Sequence, residues 1–129
     1  MKKQIKQLKE FHKAFNLPMR DKPEIISLDE FRCRHNLIHE EIDELAKAHN
    51  EGDLIEVADA IIDSLYVLIG TAVQFGLADK LPQMFDEVHR SNMSKLDVNG
   101  NPIFRADGKV MKSELFSPPR LSQILTSLK

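Results

Sequence analysis

The stretch of sequence that decides the fold is residues 40–66, EEIDELAKAHNEGDLIEVADAIIDSLY. Apolar residues recur at helical spacing on both sides of Gly52, which predicts the end of one helix there and the start of the next at Asp53. Asp53 and Glu56 have the spacing of a capping pair at a helix N-terminus. Both predicted helices carry several carboxylates, so the same stretch also holds candidate site residues.

Helical patterns continue on either side of this stretch. Toward the N-terminus, an amphipathic helix covers residues 2–15, and the capping box Ser27-Leu-Asp-Glu30 opens the helix that leads into the central stretch. Toward the C-terminus, a very apolar helix runs from Asp53 to Gly76, and Asp79 is placed to cap a fourth helix. The sequence therefore predicts four main helices.

Beyond Leu96 the sequence changes character. The turn dipeptides Asn99-Gly100 and Asp107-Gly108 predict a short hairpin, and Pro118-Pro119 precedes a last short helix. The chain contains no internal repeat and no interdomain linker. We therefore expect one domain over residues 1–129, an all-α helical bundle with an irregular, basic C-terminal arm.

Composition places the chain among ordinary globular proteins. Of its 129 residues, 42% are hydrophobic and 29% are charged, values that exclude the disordered, collagen-like and disulfide-rich classes. The single cysteine, Cys33, cannot form an internal bridge, which favours a reducing cytoplasm. Asp59 and Asp63 interrupt the longest apolar stretch, so we expect no transmembrane helix. We likewise expect no membrane partner and no nucleic-acid partner.

Charge is distributed unevenly along the chain. Residues 1–23 carry a net charge of +5, residues 24–63 of −9 and residues 64–129 of +2. Acids gathered in the middle, with lysine and arginine at both ends, suggest a cation site with an anionic ligand nearby. The alternative on charge alone is a set of solvated helix faces.

Carboxylates also fall on helix faces that are otherwise apolar. On the second helix, Glu41 lies between Leu37 and Leu45 on the predicted buried face, which also includes Phe31, Ile38 and Ile42. Glu44 lies at the edge of this face, and Glu40 lies just outside it. On the third helix, one arc is shared by three acids: Glu56, Asp59 and Asp63.

These buried-face acids need a counter-charge, because an unpaired buried carboxylate is costly and neighbouring carboxylates repel one another. The two helices supply few cations: Arg32, Arg34 and Lys47. Oxygen ligands without nearby cysteine or paired histidine favour Mg²⁺ or Mn²⁺. Solvated faces or interhelix ion pairs are the alternative, and Glu56 also stands where a helix-capping acid belongs.

The ordered series of motifs resembles the MazG-like all-α NTP pyrophosphatases, a superfamily that includes phosphoribosyl-ATP pyrophosphohydrolases and dimeric dUTPases. The first motifs are Glu41-x-x-Glu44 and Glu56-x-x-Asp59, followed by Asp63-Ser-Leu-Tyr-Val. The series continues with Val88-His-Arg-Ser-Asn-Met-Ser-Lys95, Arg105-Ala-Asp-Gly-Lys109, Lys112 and Ser117-Pro-Pro, so the resemblance covers about residues 8–125.

The resemblance implies Mg²⁺-dependent hydrolysis of a nucleoside triphosphate between its α and β phosphates, with dUTP as the first substrate to test and non-standard triphosphates as another class. Glu41 and Glu44 match the family's first pair of metal ligands. The second pair stays open: one alignment selects Glu56 and Asp59, and another selects Asp63. We therefore predict metal binding by Glu41, Glu44, Asp59 and Asp63, with Glu56 secondary.

The resemblance also implies the remaining roles. A carboxylate that metal does not fully occupy, Glu40 or Glu41, takes the proton of the attacking water. Polar and basic residues of the later motifs contact the substrate: Asn92, Lys95, Arg105, Lys109 and Lys112. The dimeric habit of the relatives and an apolar third helix with no evident exposed side predict a homodimer or higher homo-oligomer.

Other functional classes fit less well. The chain has no Gly-x-x-x-x-Gly-Lys-Ser/Thr loop for phosphate and no Glu-x-x-His pair for a di-iron bundle. The remaining rival is a non-catalytic helical protein whose third helix mediates oligomerisation or another interaction. That rival explains the apolar helix and leaves the inward-facing acids unexplained.

Overall fold

The computed structural model describes residues 1–126 and is mainly helical, which confirms the all-α class with four main helices. Its helices are α1 (Lys2–Ala14), α2 (Leu28–Glu51), α3 (Leu54–Gln74), α4 (Leu81–Met93) and α5 (Leu121–Thr126), and a 3₁₀ turn, Ala78–Lys80, precedes α4. Two short strands, β1 (Ile103–Phe104) and β2 (Val110–Met111), form the predicted antiparallel hairpin, with Ile103 opposite Met111.

The ends of α2 and α3 follow the local signals in the sequence. The Ser27 hydroxyl accepts a hydrogen bond from the backbone N–H of Glu30 at 3.2 Å, and the Asp53 carboxylate accepts one from Glu56 at 3.1 Å. Gly52 adopts the left-handed conformation, with φ of 69°, that commonly ends a helix. The predicted caps of both helices are therefore confirmed.

The predicted cap of the fourth helix is wrong. Asp79 lies inside the 3₁₀ turn, and the residue that precedes α4 is Lys80, which forms no capping hydrogen bond through its side chain. The carboxylate of Asp79 instead accepts a hydrogen bond from Lys9 Nζ at 2.6 Å. A long-range ion pair has replaced the local cap. Pro82 lies in the first turn of α4, as expected.

The chain forms two compact units, Met1–Asp79 and Lys80–Lys129, and the expectation of one domain over residues 1–129 stays a prediction. In the first unit, α3 packs against both α1 and α2. In the second unit, α4 contacts α5, and the hydroxyl of Ser113 donates to the carbonyl oxygens of Ser94 and Leu96. The site predicted on α2 and α3 therefore lies within the first unit.

The face that α2 turns toward α3 differs from the predicted one. Its least exposed positions recur at spacings of three and four residues: Arg34, Ile38, Glu41, Leu45 and Ala48. Phe31 and Ile42, predicted on the buried face, are 44% and 50% exposed. The buried arc is rotated toward Glu41, which therefore lies on the contact face itself.

Two buried polar side chains meet where α1, α2 and α3 come together. His12 of α1 is buried, and its Nδ1 lies 3.1 Å from the carbonyl oxygen of Pro18. Arg34 of α2 is also buried and donates to the Thr71 hydroxyl at 3.0 Å and to the carbonyl of Val67 at 2.7 Å. Gly70 makes room for both side chains, because a Cβ there would lie 2.8 Å from each.

The buried His12 makes stability depend on pH. Burial and the nearby Arg34 guanidinium lower the pKa of His12, so the unfolded chain binds a proton more readily than the folded chain. We expect the free energy of unfolding to fall as the pH drops below about 6.5, by up to about 1.4 kcal/mol per pH unit, until the folded pKa is passed. Urea unfolding at several pH values measures this slope.

The matched comparison for this prediction is His12→Gln, which keeps a polar side chain and removes the titrating ring. The variant should show a shallower loss of stability between neutral and mildly acidic pH than the wild type. Equal pH slopes in the two proteins would show that His12 does not carry the effect.

The connector between α1 and α2 crosses the C-terminal end of α3. The backbone N–H of Arg20 donates to the Val73 carbonyl at 3.2 Å, and that of Glu24 donates to the Phe75 carbonyl at 3.0 Å. The Arg20 guanidinium also forms two hydrogen bonds with the Glu30 carboxylate, at 2.8 and 3.0 Å. These bonds lower the pKa of Glu30. The connector is thus tied to both α2 and α3.

Within residues 1–126, no single helix is both long and apolar enough to cross a membrane; one bent pair, Leu54–Gln74 with Ala78–Met93, meets that test by length and composition alone.

Candidate metal centre

Three carboxylates meet where α2 and α3 pack together. Glu41 and Glu44, one helical turn apart on α2, face Asp63 on α3, and one carboxylate oxygen from each residue lies within 4.8 Å of the other two. Glu41 and Asp63 are half-buried and Glu44 is exposed. We call these three residues the acid cluster. It brings together both members of the predicted first ligand pair and one candidate for the second.

The surroundings of Glu41 in the acid cluster are unfavourable for a charged carboxylate. Its Oε2 atom is inaccessible to solvent and has no hydrogen-bond partner among the described residues. Burial raises the pKa of Glu41, and the neighbouring carboxylates of Glu44, Asp63 and Asp59 raise it further. An unsatisfied buried carboxylate oxygen beside other carboxylates is costly unless something positive binds to it.

The donor set of the acid cluster fits a hard divalent cation. Its ligand atoms are all carboxylate oxygens, which Mg²⁺ and Mn²⁺ prefer. Across the described residues, no lysine or arginine forms a salt bridge with Glu41, Glu44 or Asp63. The counter-charge required by these carboxylates can therefore come from a bound cation.

An acidic cavity of about 460 Å³ adjoins the cluster and shares Glu44 with it. Its other lining residues come from both helices: Lys47, Ala48, Glu51, Glu56 and Asp59. Asp59 and Glu56 therefore lie beside the acid cluster, outside the group of three. Glu40, the other predicted proton acceptor, is exposed on α2 next to Glu41.

This placement predicts an order of importance for the second ligand pair. Asp63→Asn should weaken Mg²⁺ binding more than Asp59→Asn, because Asp63 lies within 4.8 Å of both Glu41 and Glu44 and Asp59 lies outside that group. Glu56→Gln should weaken it least, because Asp59, and not Glu56, is among the carboxylates that raise the pKa of Glu41. Replacing a residue that supports a metal ligand typically lowers metal affinity by about 10- to 100-fold, and replacing a ligand itself should lower it further. Titration calorimetry with Mg²⁺ gives the three affinities, and a larger loss for Asp59→Asn would reverse the assignment.

The predicted substrate-binding residues belong to the second unit and have neighbours of their own there. Arg105 donates from Nε to the Asp107 carboxylate at 2.9 Å and forms an ion pair with it, which lowers the pKa of Asp107. Lys112 places its Nζ 4.6 Å from the centre of the Phe116 ring. Asn92, Lys95 and Lys109 complete the set; Asn92 and Lys109 are exposed, and Lys95 is half-buried. Substrate contact by these five residues stays a prediction.

The acidic cavity is also lined by two charged residues that the sequence does not mark as site candidates. Lys47 is the one cation among the lining residues, and Glu51 is a further acid. The available signal was their spacing, because Lys47 and Glu51 follow Glu44 by three and seven residues and so share its side of α2. That signal is weak, since every exposed helix carries charges at such spacings.

The match to a family model, over residues 8–92, places the protein in the MazG-like all-α NTP pyrophosphatase superfamily, and the helical fold agrees with this. Within it, residues 8–92 match the family of phosphoribosyl-ATP pyrophosphohydrolases, and the chain belongs to that family. The name of this family describes the hydrolysis of a pyrophosphate bond in a nucleotide. The family is typically metal-dependent, in agreement with the acid cluster.

One similar protein is an uncharacterized protein of Acanthamoeba polyphaga mimivirus, 31% identical over 102 residues. The aligned region covers 79% of this chain and 34% of the viral protein, so the chain spans about a third of the length of the curated relative it matches.

Proposed function

We propose that the protein is a Mg²⁺-dependent nucleoside triphosphate pyrophosphohydrolase that releases a nucleoside monophosphate and pyrophosphate. The proposal rests on the acid cluster, in which Glu41 has a buried carboxylate oxygen with no hydrogen-bond partner among the described residues. Residues arranged in this way would hold a divalent cation, and the family acts on nucleotide pyrophosphate bonds. A purely structural role leaves the close approach of three carboxylates unexplained.

Each acidic residue has a task in this proposal. Glu41, Glu44 and Asp63 hold Mg²⁺, which when bound neutralises phosphate charge and acidifies water. Glu40 or Glu41 accepts the proton of the water that attacks phosphorus, since proton transfer requires a carboxylate that remains partly free. Asp59 and Glu56, beside the cluster, add negative charge that favours cation binding.

The test is a pyrophosphate-release assay with a panel of triphosphates, dUTP first, followed by other standard and non-standard bases. Pyrophosphate release should require Mg²⁺ or Mn²⁺ and should stop on addition of a chelator. No other product should then appear. If none of the triphosphates is hydrolysed with either metal, the rival function, a non-catalytic helical interaction protein, replaces this one.

We also propose that the protein is a homo-oligomer, a dimer at minimum. The sequence predicts a third helix that is buried on all sides, yet in the single chain a stripe along α3 is exposed: Leu54 by 79%, Ile61 by 45%, Leu65 by 50% and Leu68 by 49%. We call these four residues the apolar stripe. An exposed apolar surface of this kind typically marks an interaction site, and a second copy would cover it.

Light scattering should give a mass at least twice 14.8 kDa. Leu65→Glu should shift the protein toward the monomer, because it places a charge in the middle of the apolar stripe. Leu115→Glu is the matched control, since Leu115 is 53% exposed and lies in the second unit. A monomeric wild type at micromolar concentration would contradict the proposal.

We also propose a cytoplasmic location, because a single cysteine, Cys33, favours a reducing compartment.

A further inference from the structure

A second concave surface of the first unit lies between α1 and α3 and is rich in aromatic side chains. This groove of about 310 Å³ is lined by Gln7, Glu10, Phe11, Ala14, Phe15 and Tyr66, and we call it the aromatic groove. The Phe11 ring lies 4.6 Å from that of Phe15 and meets the Tyr66 ring edge-on at 5.5 Å. Phe15 is 64% exposed and Tyr66 is 38% exposed, so part of the aromatic surface is open to solvent.

The aromatic groove is close to the acid cluster along α3. Tyr66 follows Asp63 by three residues, and side chains at this spacing are neighbours on a helix surface, with Cβ atoms roughly 5–6 Å apart. Along α1, Leu8 lies beside Gly70 and Phe11 beside Tyr66, so α1 and α3 run in opposite directions. Phe15 therefore lies toward the Asp63 end of the groove.

We propose that the aromatic groove binds the base of the nucleotide whose phosphates are held at the acid cluster, an inference that rests on the proposed function. Stacking on aromatic side chains tolerates any base, because every base has a π-face. The lining of the groove contains one carboxylate, Glu10, and no cation, so it disfavours phosphate and suits the uncharged end of a nucleotide. The Gln7 amide and the Glu10 carboxylate offer hydrogen bonds to a base edge.

A second copy of the chain is a poorer occupant for the aromatic groove. The four residues of the apolar stripe are aliphatic and none of them lines the groove; the exposed Ile62, one turn before Tyr66, is aliphatic as well and does not line it. The groove instead combines flat rings with two polar groups at its edge, which matches the shape and edge chemistry of a base. The expected consequence is a strong preference for nucleotides over inorganic tripolyphosphate, with limited selectivity among bases.

The composition of the chain gives a direct readout of the groove. Tyr66 is the one tyrosine in the sequence, and there is no tryptophan, so intrinsic fluorescence reports on Tyr66 alone. Addition of α,β-methylene-ATP, which carries a base and resists cleavage at the α–β bond, should change Tyr66 emission after correction with free tyrosine. Inorganic tripolyphosphate, which has no base, should not. Equal responses to both compounds would overturn the proposal.

Kinetics supply the second test, with Phe15→Ala as the groove variant and Phe85→Ala as its matched control. The two phenylalanines are 64% and 63% exposed, so neither replacement empties a buried space. Phe15→Ala should raise KM for nucleotides by about tenfold and leave kcat and inhibition by tripolyphosphate unchanged. Phe85→Ala should leave KM unchanged. Equal KM values for the two variants, or a changed oligomeric mass for Phe15→Ala without loss of the fluorescence response, would overturn the proposal.

The two proposals fail separately. If α,β-methylene-ATP changes Tyr66 emission in the wild type but not in Phe15→Ala, while no triphosphate is hydrolysed, the groove is supported and the proposed function is wrong. If triphosphates are hydrolysed and Phe15→Ala leaves KM unchanged, the proposed function is supported and the groove assignment is wrong.

Discussion

Glu44→Gln is expected to reduce Mg²⁺-dependent nucleotide hydrolysis by about 100-fold or more, since even the groups that support a metal ligand are worth about 10- to 100-fold. The amide keeps the size of the side chain and removes the charge that the cation requires. Glu44 is exposed and forms no salt bridge among the described residues, so the fold should survive the change. The unfolding midpoint should stay equal or rise, because repulsion within the acid cluster decreases.

The control for this prediction is Asp43→Asn. Asp43 is exposed on the same helix, adjacent in sequence to Glu44, and belongs neither to the acid cluster nor to the acidic cavity. It should therefore retain wild-type turnover. Full activity in Glu44→Gln at saturating Mg²⁺, or an equal loss in Asp43→Asn, would remove the basis for the metal assignment.

Gly76→Ala is expected to destabilise the fold strongly. Gly76 has φ of 72°, and a Cβ there would lie 2.1 Å from the backbone oxygen of Lys22. The connector would have to move away from the end of α3, which would break the hydrogen bonds of Arg20 and Glu24 to that end. We expect a loss of about 3 kcal/mol or more in the free energy of unfolding.

Gly52→Ala separates the two causes of that loss. Gly52 has a similar φ of 69°, but nothing lies within 4 Å of the position that its Cβ would occupy. Only the backbone cost of the left-handed conformation applies there, about 1–2 kcal/mol. Urea unfolding of the two variants compares them directly. If Gly76→Ala loses no more stability than Gly52→Ala, the connector does not pack against Gly76 as described.

Local signals in the sequence predicted the helices well because their causes are local. Ser27 and Asp53 cap the helices that follow them, and each needs a donor only three residues away. Asp79 is an aspartate like Asp53 and stands at a plausible capping position. Its carboxylate nevertheless accepts a hydrogen bond from Lys9, which is distant in sequence. A pairing across the fold therefore overrides a local preference where the two compete.

The candidate site was predictable to the extent that helix spacing determines it. Glu41 and Glu44 share a face of α2 by their spacing alone, and the structure brings Asp63 to them. Spacing could not determine the rotation of α2 about its axis, because that rotation depends on packing against α3. In the structure this rotation leaves Ile42 half exposed. The aromatic groove was not predictable, because the sequence does not show which apolar residues remain exposed to solvent in the fold. Phe15 is such a residue.

Phosphorus NMR of the products formed from dUTP with Mg²⁺ identifies the bond that is cleaved, and so shows whether the acid cluster serves hydrolysis between the α and β phosphates. We expect two products in equal amounts, the nucleoside monophosphate and pyrophosphate, both formed at least about 100-fold more slowly with Glu44→Gln. The appearance of a nucleoside diphosphate together with orthophosphate would contradict this expectation.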